Sequence, residues 1–389
     1  MRFVAVVVAG VLAGVVVPAA EGAWAAPCLG AAPPVAGVPA ELKAYAPARL
    51  AGLATGAGVR VAVVDSGVDG RNRQLAGRVV DGRDLLRNEA DGRRDCVGHG
   101  TAVAGIIAGV PEASTGVQGL APAATIVPVR VSEDTDGGDQ GSSASKFAEA
   151  IRWAAGAGRA DVINISLVMP QQDDGVRDAV AEAVRAGVVV VAAAGNGGVD
   201  AGVAYPAGYP GVIGVGAVAA DGRLAQYSQP GAHVDIVAFG DGVTVLSPVG
   251  GHRTVQGTSF AAPFVSATAA LLRERFPRAS AAEITERLLR SVDPAPGGAR
   301  SAQYGVGLLN PYRALSEESG PVVAAVAGPV SAVPVAVRGG AEWERAGVFA
   351  AGGAGVAVLG VVVAVVAGRG RRRRWHPAGR DPGHDQMPG

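Results

Sequence analysis

Val61-Ala-Val-Val-Asp-Ser-Gly-Val-Asp69 is an apolar, β-branched run that ends in a carboxylate and a glycine turn. A strand with no polar alternation is buried on both faces, the condition of a parallel sheet. Segments of the same kind recur at 125–131, 161–168, 188–193, 212–218 and 234–237. Helical spacing of small and apolar residues fills the intervals at 99–108, 143–155, 176–186, 258–276 and 280–289. Strand and helix alternating in this way predict an α/β fold, a mostly parallel central sheet flanked by helices. In such folds functional groups gather at the carboxyl ends of strands. Asp65 stands at one such end, and Asn196 lies three residues past Ala193 at another.

The composition agrees with a packed domain. Of 389 residues, 49 % are hydrophobic and 17 % charged, which excludes a disordered chain. The 34 basic and 34 acidic residues cancel, so no nucleic-acid partner is expected.

The two ends read as targeting segments. Residues 1–25 carry Arg2, an apolar run at 3–17 and the small-x-small site Ala23-Trp24-Ala25, the pattern of a secretory signal. An uncleaved N-terminal anchor is the alternative. Residues 346–368 contain no charge and, as a helix, would span about 34 Å, enough to cross a bilayer. Arg369, Arg371, Arg372, Arg373 and Arg374 follow at once, which places the 369–389 tail in the cytoplasm. The expected location is therefore the cell membrane, with one C-terminal transmembrane helix and the body extracytoplasmic. The stretch 317–345 reads as a Pro- and Ala-rich linker, and 26–44 as a short N-terminal extension before a domain at 45–316. Cys28 and Cys96, an even count in an exported chain, suggest one disulfide.

Four segments can carry chemistry, and each has a bland alternative. Asp65 could cap a helix. His99 sits between two glycines in Gly98-His-Gly-Thr-Ala-Val-Ala-Gly-Ile-Ile-Ala-Gly109, where the glycines let other backbone approach the ring. Asn196 could hold its own turn, or donate to a developing oxyanion. In Gly257-Thr-Ser-Phe-Ala-Ala-Pro263, Thr258 or Ser259 opens a long helix, as an ordinary N-cap or as a nucleophile at the positive end of the helix. Pro263 is expected near the first turn, where a missing N–H is tolerated. A nucleotide-binding alternative fails, because Asp65-Ser-Gly-Val-Asp-Gly70 is not a Gly-x-Gly-x-x-Gly turn.

Together, in the order Asp, His, Asn, Ser, these segments resemble the signatures of subtilisin-like serine proteases across residues 45–316. The signal, the Cys-bearing extension, Cys96 just before His99, the linker and the membrane helix resemble the mycosins of type VII (ESX) secretion systems. The resemblance implies a three-layer subtilisin-like fold and serine endopeptidase chemistry on protein or peptide substrates, with no cofactor. It implies Ser259 as nucleophile, His99 as general base, Asp65 as its orienting carboxylate, and Asn196 with the Ser259 N–H as oxyanion donors. Substrate would add as a strand along Ser166, Leu167 and Val168, with Ala193, Ala194 and Gly195 as a pocket wall. Many degradative subtilisins have Gly where this chain has Val168, a departure that points to restricted substrates. Between 26 and 45 there is too little chain for an independently folded prodomain. Asp134, Asp136 and Asp139 read as a solvated acidic loop, and no metal is expected. The resemblance also implies membrane-complex components of the secretion system as partners. A scaffold role in that complex with dispensable proteolysis is the second expectation, and a generic cell-surface subtilase the third.

Overall fold

The computed structural model describes residues 28–133 and 143–317. The segments read as signal, linker, membrane helix and cytoplasmic tail lie outside the described residues, save for Glu317 at the start of the linker. So do Asp134, Asp136 and Asp139. Among the described residues no helix is long and apolar enough to cross a membrane.

Two short helices come first, α1 (Ala40–Tyr45) and α2 (Pro47–Ala51). Then follow β1 (Arg60–Asp65), β2 (Arg83–Asp84), α3 (His99–Ala108), β3 (Thr125–Arg130), α4 (Ala144–Ala155) and β4 (Val162–Ile165). The chain continues through α5 (Asp174–Arg185), β5 (Val189–Ala193), β6 (Val212–Ala219), β7 (Ile236–Leu246) and β8 (His252–Gln256). It closes with α6 (Thr258–Arg275), α7 (Ala281–Arg290), β9 (Asp293–Pro294), β10 (Gly307–Leu308) and α8 (Pro311–Ser316).

The strands form one sheet in the order β2-β3-β1-β4-β5-β6-β7-β10-β9, with β8 also pairing β7. All neighbours are parallel except β7 with β8 and β10 with β9. Alternate residues of β1 show why its run is continuously apolar. Val61 and Val63 join a core cluster with Val103 and Ile107 of α3 and Val265 and Leu271 of α6. Ala62 and Val64 join the opposite cluster, with Phe147 and Ile151 of α4 and Val176 and Val180 of α5. The expected layers are present: helix, sheet, helix. Burying an aliphatic side chain of this kind contributes roughly 1.5–3 kcal/mol, so both faces are strongly held.

Helix ends follow their caps. Asp173 accepts the N–H of Val176, and Ser280 forms a capping box with Glu283. Two differences from the sequence reading bear on the site. The strand expected at 161–168 stops at Ile165, which leaves Ser166–Val168 beyond the sheet. The strand expected at 234–237 runs from Ile236 to Leu246, and β8 folds back against it. Polar and glycine positions at 240–242 hide its length from an apolar-run criterion. The N-terminal extension is also continuous with the body. Leu42 and Tyr45 of α1 are buried in the main core, and the Tyr45 ring packs on Phe239 and Phe264 at 5.0 and 5.1 Å.

Candidate active site

The segments after the carboxyl ends of β4 and β5 and the starts of α3 and α6 meet at one cleft of about 380 Å³. His99, Ser166, Val168, Ala193, Asn196 and Ser259 all line it.

Asp65 ends β1 fully buried and caps no helix. Its Oδ1 lies 2.7 Å from His99 Nδ1 and accepts the Ser66 N–H at 2.7 Å. The approach needs Gly100, because a Cβ there would lie 2.0 Å from the Gly67 carbonyl and 3.1 Å from Asp65 Oδ1. Gly98, at φ +78°, is in the left-handed region that opens α3. The His99 ring is buried and stacks at a tilt on Phe260, with centroids 5.0 Å apart. Burial opposes its protonation. The Asp65 charge and hydrogen bond outweigh burial and hold its pKa above the ordinary value.

Several supports of this pair were not read from the sequence. Asp95 Oδ1 accepts from Ser66 Oγ at 2.9 Å and the Gly98 N–H at 2.7 Å. Its Oδ2 accepts from the N–H and Oγ of Thr101 at 2.8 and 2.6 Å. Burial pushes the Asp95 carboxyl pKa up, against the pull of those hydrogen bonds. Ser66 Oγ in turn accepts the Gly100 N–H at 2.9 Å. One buried carboxylate thus fastens the start of α3 to the turn after β1. An acid four residues before a helical His is a capping signal that could have pointed to it. Arg130, fully buried, pairs with Asp84 at 2.7 Å and donates from Nε to the Ser66 carbonyl at 3.2 Å.

Ser259 is the second residue of α6, and Gly257, not a hydroxyl, occupies the cap position. The Ser259 hydroxyl is therefore spared from capping, and its N–H is one of the helix's orphan donors. Pro263 corrects an expectation. It lies inside α6, in the second turn, where it removes the N–H that would bond the Ser259 carbonyl. Ser166 Oγ takes that place and donates to the Ser259 carbonyl at 2.8 Å. Asn164 Nδ2 donates to Ser166 Oγ at 2.9 Å, and Ser266 Oγ donates to Asn164 Oδ1 at 2.8 Å.

Asn196 does not hold its own turn. Its Oδ1 accepts from the N–H and the Oγ of Thr258, both at 2.9 Å. Two donors on that oxygen leave Nδ2 turned the other way. Gly257, at φ +147°, marks the place: a Cβ there would lie 2.9 Å from Ser259 Oγ and 3.4 Å from Asn196 Nδ2.

Of the six expected pocket positions, Ser166, Val168 and Ala193 line the cleft. Leu167 and Ala194 are buried in the two core clusters, and Gly195 donates its N–H to Thr258 Oγ1 at 3.1 Å. Met169 and Tyr205 exchange backbone hydrogen bonds at 2.7 and 2.9 Å, which closes the end of the 166–168 segment. His233 and His252 are engaged elsewhere, on the Ala194 carbonyl at 3.1 Å and on Gln74 Oε1 at 2.7 Å. Cys28 and Cys96 form a disulfide.

The arrangement has the parts for acyl transfer: a carboxylate-bound imidazole, a serine at a helix start, and an amide donor beside it. The profile of the subtilase family, Peptidase_S8, matches residues 56–307. Subtilisin E of Bacillus subtilis (strain 168) is 37 % identical over 259 residues, 66 % of this chain and 65 % of that protein, so the chain spans just under two thirds of that relative. Mycosin-4 of Mycobacterium tuberculosis (strain ATCC 25618 / H37Rv) is 37 % identical over 367 residues, covering 83 % of this chain and 79 % of the relative. Among solved structures, the MycP3 protease from the type VII (ESX-3) secretion system superposes with a TM-score of 0.66 at 30 % identity, covering 75 % of this chain and 93 % of that one. MycP1 from Mycobacterium smegmatis gives 0.66 at 28 % identity, with 76 % and 89 % covered.

Proposed function

The chain belongs to the subtilase family, and from that premise we propose that it is a membrane-anchored serine endopeptidase with restricted protein substrates. The observation that carries the reading is the 2.7 Å bond between Asp65 and His99 in the cleft that Ser259 and Asn196 also line. Ser259 Oγ attacks the scissile carbonyl while His99 Nε2 takes its proton and later returns it to the leaving amine. Asp65 keeps the proton on Nδ1 and stabilises the imidazolium. The oxyanion is met by Asn196 Nδ2 and the Ser259 N–H, with the positive end of α6 behind them.

A substrate strand adds along Ser166–Val168, which lies free beyond the sheet. The Val168 side chain on the cleft wall narrows that approach, and Ala193 leaves room for a medium apolar side chain. The apolar run at 346–368 would anchor the chain, with the basic tail in the cytoplasm and the protease outside. Similarity to MycP3, a protease from the ESX-3 system, supports a type VII secretion complex as its setting, with components of that complex as partners. Similarity to MycP1, a serine protease that is an essential component of the type VII (ESX-1) secretion system, favours a scaffold role beside proteolysis, and the two can coexist.

Ser259→Ala should abolish labelling by a fluorophosphonate probe, with thermal unfolding unchanged. Undiminished labelling of a folded variant would remove Ser259 as the nucleophile.

A further inference from the structure

We propose that Gln229 is a positioning residue for catalysis, the clamp that holds Asn196 where it meets the oxyanion; this rests on the reading of Asn196 as a donor. Gln229 is buried, between β6 and β7. Its Oε1 accepts the Gly197 N–H at 3.0 Å, and its Nε2 donates to the Gly202 carbonyl at 2.7 Å. Its own backbone N–H donates to the Gly195 carbonyl at 3.1 Å. Both neighbours of Asn196 are thus tied to one residue. The amide orientation follows from its partners, since an N–H requires the oxygen and a carbonyl requires the NH₂.

The fit is close. A Cβ at Gly195 would lie 2.2 Å from Gln229 Oε1, and one at Gly197 would lie 3.2 Å from it. The glycines on either side of Asn196 leave the space that the Gln229 amide fills. Gly195 also stands at φ +100°, open to glycine at little steric cost. Such a Gly-Asn-Gly turn has the greatest backbone freedom to lose, and Gln229 removes it. On its far side the Asn196 amide is tied to Thr258, the residue before Ser259. Gln229 therefore sets the turn against α6, and with it the distance from Asn196 Nδ2 to the reacting centre. An oxyanion donor works only near 2.7–3.1 Å, and a misplacement of about 1 Å can slow a reaction by up to about 10²-fold.

The test is the rate at which a fluorophosphonate phosphonylates Ser259 in the full chain. There Oγ bonds to phosphorus, fluoride leaves, His99 takes the proton, and the phosphoryl oxygen occupies the oxyanion position. Gln229→Met keeps the volume and deletes both side-chain hydrogen bonds; it should slow labelling about tenfold. Asn196→Ala should slow it by about 10²–10³-fold. On that background Gln229→Met should slow it further by less than about twofold, because the donor it positions is gone. Equal slowing on both backgrounds, or none in the otherwise native chain, overturns the proposal. An Asn196→Ala chain that labels at the native rate overturns the donor assignment itself, and the proposal with it. Should Gln229→Met fail to fold, Gln229→Asn draws the amide back by one methylene and carries the same comparison.

Discussion

At the scale of single residues, the charge on Asp65 decides how His99 titrates. In the proposed mechanism His99 must be neutral to accept the Ser259 proton. Burial alone would lower its pKa, but Asp65 raises it above the ordinary value. The acid limb of kcat/KM should therefore lie above about pH 6.5, the unperturbed imidazole value. Asp65→Asn removes the larger raising charge and leaves burial opposed only by Asp95, so the limb should move to lower pH while the rate falls by about 10⁴-fold. A pH profile of peptide hydrolysis checks both. A limb that stays in place in the variant belongs to another group. The same raised pKa stabilises the fold below the unfolded-state pKa, a contribution lost as pH rises through the folded value.

At the scale of elements, α6 is built around a missing hydrogen bond. Residues Thr258 to Leu272 are all buried, so an unbonded carbonyl inside it would be destabilising. Pro263 creates that vacancy at Ser259, and Ser166 from the end of β4 fills it. The exchange ties α6, which carries the proposed nucleophile, to the strand end where substrate would pair. Ser166→Ala should lower stability by about 1–3 kcal/mol, the usual loss for a buried polar group left without a partner. Adding Pro263→Ala restores an N–H four residues after Ser259 and should recover part of that loss. Denaturant unfolding of the single and double variants measures it. Additive destabilisation would show that the Ser259 carbonyl is not the shared partner.

At the scale of the molecule, the extension and the body are one unit. Leu29 donates to the Cys96 carbonyl at 2.8 Å, and Ala32 to that of Gly250 at 2.9 Å. Val35 donates to His252 Nδ1 at 2.9 Å, and Ser247 Oγ donates to the Gly30 carbonyl at 3.0 Å. The Cys28–Cys96 disulfide closes a loop across a separation of 68 residues, worth about 4 kcal/mol on the chain-entropy account. Cys28→Ser should lower the melting temperature by at least about 5 °C and leave peptide turnover little changed, since the extension is a strap bonded beside the cleft. A large rise in turnover would show that it inhibits.

The α/β layering follows from the amino-acid sequence alone, and so does the placing of Asp65, His99, Asn196 and Ser259 at strand and helix ends. The physical reason is local. A strand buried on both faces must be continuously apolar, and a reactive side chain at its end must be followed by glycines that admit other backbone. The nearby pattern could not decide between capping and chemistry at Asp65, Asn196 and Ser259, because the same side-chain oxygen serves either purpose. The tertiary structure supplies the partners instead: His99 for Asp65, Thr258 at the start of α6 for Asn196, and Gly257 in the cap place Ser259 could have taken; the chemistry is what we propose from them. Asn164 and Gln229, and the bond from Ser166 to the Ser259 carbonyl, were legible only in three dimensions. Their hydrogen-bond partners mostly come from other elements or loops, and no period or motif records a contact between Gln229 and a glycine 32 residues away.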